Sequence, residues 1–203
     1  MQAVTRLDQY VFEFPGFLAA EQCRALVEKG ELMSFEAATI NDASAPERIE
    51  EVRNNDRLIV DDEVFAEDLW KGIRPFVPSP FSSREAIGLN ERLRYYRYGP
   101  GQLFDWHKDG SYDRPTGERS LFTFMIYLND DFEGGTTSFC DWRSPLLFDD
   151  FEVAPETGKA LLFFHPITHR GNPLIRGQKY VLRTDVMYSA RQEAQAQTFG
   201  RWL

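Results

Sequence analysis

The hydrophobic rhythm of the chain changes near residue 89. Before it a helical period dominates. Within Ala19–Leu32, Cys23, Leu26, Val27 and Gly30 recur at i, i+3, i+4 and i+7, the spacing of one helix face. A second helix is predicted to start from an N-cap at Asp61 or Asp62 and to run through Phe76. Pro75, Pro78 and Pro80 end it, since proline lacks an amide hydrogen and clashes with the preceding turn. Short strands are expected at Tyr10–Phe14, which Pro15-Gly16 breaks, at Phe35–Ile40 and at Arg57–Val60. The polar stretch Asn41–Asn55 reads as a loop.

Beyond Leu89 the period shortens to that of strands. Leu93–Tyr98, Leu103–Asp109, Leu121–Leu128, Thr137–Phe139, Phe151–Ala154, Ala160–Phe164 and Lys179–Tyr188 each read as a strand. Turn signals such as Gly99-Pro100-Gly101 and Asn129–Gly135 separate them, and no helical period intervenes. Such a succession builds a β-sandwich or jelly roll, here with helices from the N-terminal part buttressing one side. We expect a single domain over residues 1–203. Residues 1–88 supply support helices and strands, 89–190 the β core and 191–203 a C-terminal tail.

Composition narrows the function classes. Hydrophobic residues make up 42% of the 203, with 17 Phe, enough for a packed core. Lys plus Arg is 23 and Asp plus Glu is 32, a net charge of −9, which disfavours a phosphate backbone, so nucleic acid is not expected as a partner. The two cysteines, Cys23 and Cys140, form neither a disulfide framework nor a cysteine-rich zinc site. Met1–Asp8 has no apolar signal region. The longest nearly apolar run, Leu121–Leu128, is far short of the roughly 18 residues of a membrane helix. A soluble, cytoplasmic protein with no membrane partner is the expectation. The pattern does not fix an oligomeric state.

There are only three histidines, His107, His165 and His169. In a strand, residues i and i+2 share a face, so His107 and Asp109 would project together. A histidine following the strand Ala160–Phe164 would complete two imidazoles and one carboxylate, the facial set of non-haem Fe(II) oxygenases. His-x-Asp alone equally describes a solvated strand end. Two of three histidines fitting one geometry raises its weight. His165 competes with His169 for the third place, and the residues C-terminal to His169 favour it. Ten positions on, Lys179 opens an alternating strand with Lys179, Val181, Arg183 and Asp185 on one face and Tyr180, Leu182, Thr184 and Val186 on the other. The polar face is either solvated or lines a polar cavity, where lysine would suit a carboxylate.

From Leu93 to Tyr188 the chain resembles the Fe(II)- and 2-oxoglutarate-dependent dioxygenases of the prolyl 4-hydroxylase-like superfamily. Four pieces carry the resemblance in order. Tyr98-Gly99-Pro100-Gly101-Gln102 leads into His107-x-Asp109. Thr123 and Tyr127-Leu128-Asn129 come next, then Gly134-Gly135 with Thr137 and Phe139, then His169 with Lys179. The resemblance implies a double-stranded β-helix, a cupin-like jelly roll, with the metal at its mouth. It implies His107, Asp109 and His169 as Fe(II) ligands and Lys179 as the partner of the distal carboxylate of 2-oxoglutarate. Tyr98 and Tyr127 would be hydroxyl donors to that cosubstrate. Arg183 would assist or replace Lys179, or pair with Asp185 instead. His165 would be structural or support the ligands. O2 is the second cosubstrate and ascorbate an optional reductant. The implied activity is hydroxylation of a peptidyl proline, an amino acid or another small molecule, with release of succinate and CO2. A non-catalytic metal-binding jelly roll and a hydrolytic zinc enzyme are the alternatives. Neither explains Lys179.

Other residues have blander readings. Trp106 is expected in the core. Arg92, Arg94, Tyr96 and Tyr98 should share one polar sheet face. Gly110–Gly117 and Asn41–Asn55 are candidate rims for substrate, with Arg53, Asn54, Asn55 and Arg57 in reach or merely solvated.

Overall fold

The computed structural model describes residues 5–37, 40–42, 45–47, 53–140 and 149–191. Two antiparallel sheets face each other, and two helices cover the outer face of the larger one. The larger sheet runs in the order Thr5–Asp8, Val11–Phe14, Ala160–Phe164, Arg119–Tyr127, Lys179–Tyr188, Arg92–Tyr98, Asp56–Asp61 and Glu36–Ala37, with Ala86–Leu89 also paired to Lys179–Tyr188. The smaller sheet is Phe151–Val153, Thr137–Cys140, Thr168–Gly171 and Phe104–His107. Neighbours far apart in sequence pair throughout, as in a jelly roll.

Strand alternation divides the core in two. Along Arg119–Tyr127, Phe122, Phe124 and Ile126 pack with the helix residues Leu26, Leu69, Trp70 and Ile73, while Met125 and Tyr127 turn between the sheets with Phe139, Leu161, Phe163 and Val181. Along Lys179–Tyr188, Tyr180, Leu182 and Val186 join the helix side. Lys179, Arg183 and Asp185 therefore face inward between the sheets, where only a functional or paired charge is tolerated.

The helices fall close to their expected places. α1 is Ala20–Met33 and α2 is Glu63–Ile73. Asp62 is the N-cap of α2, its Oδ1 accepting the Phe65 amide at 3.0 Å, and a 3-10 turn, Arg74–Phe76, comes after it. Several expectations change. The predicted loop 41–55 contains a small hairpin, Ile40–Asp42 with Ala45–Glu47, and Arg53 bridges to Phe104; residues 43, 44 and 48–52 lie outside the described residues. Trp106 is only partly buried and joins neither core cluster. Thr168–Gly171 is a strand of its own, too short and polar for periodicity to mark. Among the described residues no helix is long and apolar enough to cross a membrane.

Candidate active site

His107 and His169 are directly opposite one another in the smaller sheet. Cross-strand partners share a face, which sets their rings 4.1 Å apart between centroids. Asp109 arrives differently from the strand reading. The strand ends at His107, and Asp109 lies in the chain beyond it, fixed by its amide donating to the His165 carbonyl at 3.1 Å. His165 thus serves the site through its backbone. One nitrogen from each of His107 and His169 and one carboxylate oxygen of Asp109 lie within 4.8 Å of one another.

The protonation pattern is set by the partners. His107 Nδ1 is 2.6 Å from the Asp105 carbonyl and His169 Nδ1 is 3.0 Å from the Ile167 carbonyl. A carbonyl only accepts, so Nδ1 carries the hydrogen in both rings, leaving each Nε2 lone pair free. Those Nε2 atoms lie 3.8 and 3.6 Å from the Asp109 carboxylate. Burial pushes the His107 imidazole down to about 3, helped by His169 alongside, and burial also lowers His169. Burial alone would raise the Asp109 carboxyl, but the Arg183 guanidinium overrides it and holds the group well below the usual carboxylate range. Two neutral imidazoles and a carboxylate therefore turn lone pairs toward a common point with no proton between them, an arrangement a divalent cation satisfies.

The triad opens into a small cavity of about 40 Å³, lined also by Tyr98, Phe104, Thr123, Phe163, Lys179 and Arg183. Lys179 is 3% exposed, and its Nζ donates to the Gly135 carbonyl at 2.5 Å. The ammonium lies 5.4 and 5.3 Å from the ring centroids of Tyr98 and Tyr127. With no carboxylate partner among the described residues, burial pushes Lys179 down to about 7. A buried cation in a cavity, facing two aromatic rings and one carbonyl, calls for an anion. Gly135 is part of this fit: its φ is +65°, and a Cβ there would come 3.1 Å from Lys179 Cδ.

Residues 93–184 match the profile of the 2OG-Fe(II) oxygenase superfamily. The chain is 30% identical over 199 residues to "Probable prolyl 4-hydroxylase 6" of Arabidopsis thaliana, a match covering 83% of this chain and 66% of that relative. This chain belongs to the 2OG-Fe(II) oxygenase superfamily. The chain spans slightly less than two thirds of that plant relative's length, at 66%. Two solved structures share the fold. The viral collagen prolyl hydroxylase of Paramecium bursaria Chlorella virus-1, with 2-oxoglutarate bound, superposes with a TM-score of 0.61 at 21% identity, over 90% of this chain and 97% of that one. A Pseudomonas putida prolyl-4-hydroxylase gives 0.64 at 16% identity, over 88% and 93%.

The 2OG-Fe(II) oxygenase superfamily uses Fe(II), 2-oxoglutarate and O2. The donor set of this chain fits the metal, and the buried Lys179 fits a dicarboxylate. Among the residues expected from the sequence, His107, Asp109, His169, Tyr98, Lys179 and Arg183 line one cavity. Tyr127 lies behind it, with its hydroxyl already donated to Thr137 Oγ1 at 2.6 Å. Arg183 is already paired. Its Nη2 is 3.0 Å from Asp109 Oδ1 and 3.1 Å from Asp185 Oδ1. Asp185 in turn takes Arg94 at 3.0 Å and faces His165 Nε2 at 3.5 Å. The ion pair with Asp185, one of the alternatives the sequence left for Arg183, is present.

The sequence names Thr123, Arg53 and Gly135 but not the contacts through which they support the site. Thr123 Oγ1 donates to Asp109 Oδ2 at 2.5 Å, so both oxygens of that carboxylate are held. Arg53, in reach of substrate or solvated on the sequence reading, is 6% exposed, with its guanidinium 4.6 Å from the Tyr96 ring and 4.4 Å from the Phe104 ring. The Gly135 carbonyl, which caps Lys179, is a backbone group that side-chain patterns do not register.

Proposed function

We propose that this protein is a non-haem Fe(II)- and 2-oxoglutarate-dependent dioxygenase that hydroxylates a peptidyl proline, an amino acid or a small molecule, releasing succinate and CO2. The observation that carries the reading is that three lone-pair donors within 4.8 Å share a cavity with a buried lysine that has no carboxylate partner among the described residues. His107, Asp109 and His169 would hold the Fe(II), whose chemistry when bound is O2 activation coupled to decarboxylation of the keto acid. The chain's own residues do the rest. The carbonyls of Asp105 and Ile167 fix the ring orientation and tautomer of the two histidines. Thr123 and Arg183 hold the Asp109 carboxylate in place. Lys179 neutralises the distal carboxylate of 2-oxoglutarate, and the Tyr98 hydroxyl is available to hydrogen-bond the cosubstrate. Phe104, Met125, Phe163 and Val181 give the cavity apolar walls that limit water. A peptidyl substrate is supported by the prolyl 4-hydroxylase names of the relatives. A metal-binding module without turnover would leave Lys179 without a purpose.

The test is succinate release. The protein is incubated with Fe(II), ascorbate, O2 and 2-oxoglutarate, with His107→Ala as control. Succinate above the control is expected even without prime substrate, through uncoupled turnover. No excess, across varied substrates, would overturn the reading.

A further inference from the structure

A second, open recess lies beside the triad. Arg84, Arg119 and Arg191 line it, together with Ser111 and His165, and no carboxylate is among its described lining residues. In a chain with net charge −9 this is a local reversal of sign. The recess is next to the metal centre by covalent and hydrogen-bond geometry. Ser111 is two residues beyond Asp109, so their Cα atoms are at most about 7 Å apart. The His165 carbonyl accepts the Asp109 amide at 3.1 Å.

The donors there are only partly used. Arg84 spends Nη1 on the carbonyls of Gly117 and Ser189, at 2.8 and 2.5 Å, which fixes its guanidinium in place. Arg119 has one acidic neighbour, Asp113, with Nε 3.4 Å from Oδ1, and the two side chains are 46% and 61% exposed. A pair that open to solvent binds weakly and yields to a better ligand. Arg191 is exposed. His165 is 2% exposed, and its Nδ1 has no hydrogen-bond partner among the described residues. A guanidinium has five donors in a planar fork that matches an oxyanion two bonds at a time. Three of them on one recess, one held rigid by backbone carbonyls, make an anion anchor.

We propose that this recess binds an oxyanion, carboxylate or phosphate, of the prime substrate and so presents a nearby carbon to the triad. The proposal rests on the oxygenase reading and narrows its substrate class to acidic molecules. Lys179 is reserved for the cosubstrate, so the two anions of the ternary complex would have separate cations. Binding energy collected at the recess, away from the reacting carbon, would position that carbon.

The experiment measures stimulation of succinate release by the Fe(II)-loaded protein. Capped peptides and N-acetylated amino-acid amides are offered in matched pairs: Asp against Asn, Glu against Gln, and phosphoserine against serine. The expected result is at least tenfold greater stimulation by the charged member of one pair. The carboxylate and phosphoserine arms identify which oxyanion is read. Arg119→Gln and Arg191→Gln should each lower the charged-to-neutral ratio at least fivefold. Neither variant removes the structural contacts made by Arg84, and circular dichroism checks that each folds. Equal stimulation within every pair, no stimulation by any charged member, or an unchanged ratio in both folded variants overturns the proposal. Uncoupled succinate release and Fe(II) retention, read on the wild-type protein, report separately on the oxygenase reading.

Discussion

The Arg183 guanidinium lies 3.0 Å from Oδ1 of Asp109, the carboxylate of the candidate metal site. It pairs directly with a candidate metal ligand, and Asp185 holds it there from the other side at 3.1 Å. This placement has two opposing effects. The pair keeps Asp109 in position for a metal to bind. It also places a positive charge beside the incoming cation, a repulsion of a few kcal/mol at the effective dielectric of partly buried sites.

The first prediction weighs these effects. Arg183→Gln leaves Asp109 and Asp185 as neighbouring buried carboxylates without their shared cation. Breaking a buried pair in this way costs about 3–5 kcal/mol, so the metal-free variant should unfold at a clearly lower temperature. Removing the repulsion should at the same time tighten metal binding by tenfold or more, since the loss of positioning is worth only about 1 kcal/mol of side-chain freedom. Thermal unfolding with and without Mn(II) reads both. The metal-induced rise in Tm should be larger in the variant than in the wild type. An equal rise would show that the Arg183 charge is not felt at the metal position.

The second prediction separates the two C-terminal histidines. His169→Ala should abolish stoichiometric Fe(II) binding, because its Nε2 is one of the three converging donors. His165→Ala should retain the metal, because His165 reaches Asp109 through its backbone carbonyl, which alanine preserves. Iron content after gel filtration decides between them, and the reverse outcome would exchange their roles.

The third prediction concerns Lys179 and pH. Burial holds its ammonium down to about 7. A bound carboxylate favours the charged form, so the group takes up a proton on binding wherever it was neutral before. Below about pH 7 the affinity for 2-oxoglutarate should be flat. Above it the affinity should fall by up to about tenfold per pH unit, until the raised pKa of the complex is reached. Calorimetry at pH 8 in buffers of different ionisation enthalpy should show uptake of most of one proton. Lys179→Ala should abolish that uptake and raise the 2-oxoglutarate KM far more than it lowers iron content. A pH-independent affinity in the wild type would mean that Lys179 is charged before the cosubstrate arrives.

Much of the site was legible in the sequence, and the reason differs by residue. The strand Lys179–Tyr188 has a strict alternation, so its inward charges could be placed on one face, and the structure keeps them there. His107 and His169 were found because histidine is rare in this chain. The placement of Asp109 was right for a partly wrong reason, since a backbone bond to His165, not the strand pleat, puts it in the site. What stayed hidden depends on contacts between distant segments. The Arg183–Asp109 pair joins positions 74 residues apart, and the seat of Arg53 between Tyr96 and Phe104 is made by three separate segments. Local periodicity carries no information about such meetings. The strand Thr168–Gly171 failed for another reason: its existence is imposed by its neighbours Thr137–Cys140 and Phe104–His107, against weak local preference.

The last prediction tests how the N-terminal layer is fastened to the jelly roll. Gly158 precedes the strand Ala160–Phe164, and its carbonyl accepts the Leu18 amide at 3.1 Å, just before α1 begins. Its φ is +79°, and a Cβ added there would stand 2.0 Å from the Leu18 carbonyl oxygen. The obstacle is backbone, so no side-chain rotation relieves it. Left-handed backbone alone costs an alanine about 1–2 kcal/mol, and the clash requires α1 to shift as well. Gly158→Ala should therefore destabilise the fold by at least about 2 kcal/mol, a drop in Tm of several degrees in a chain of this size. Neither Leu18 nor Gly158 lines the cavity of the triad, so Mn(II) should still raise the Tm of the variant. A Tm within a degree of wild type would mean that the segment before α1 is free to move away from the sheet, and that its contact with Gly158 does not fasten the helix.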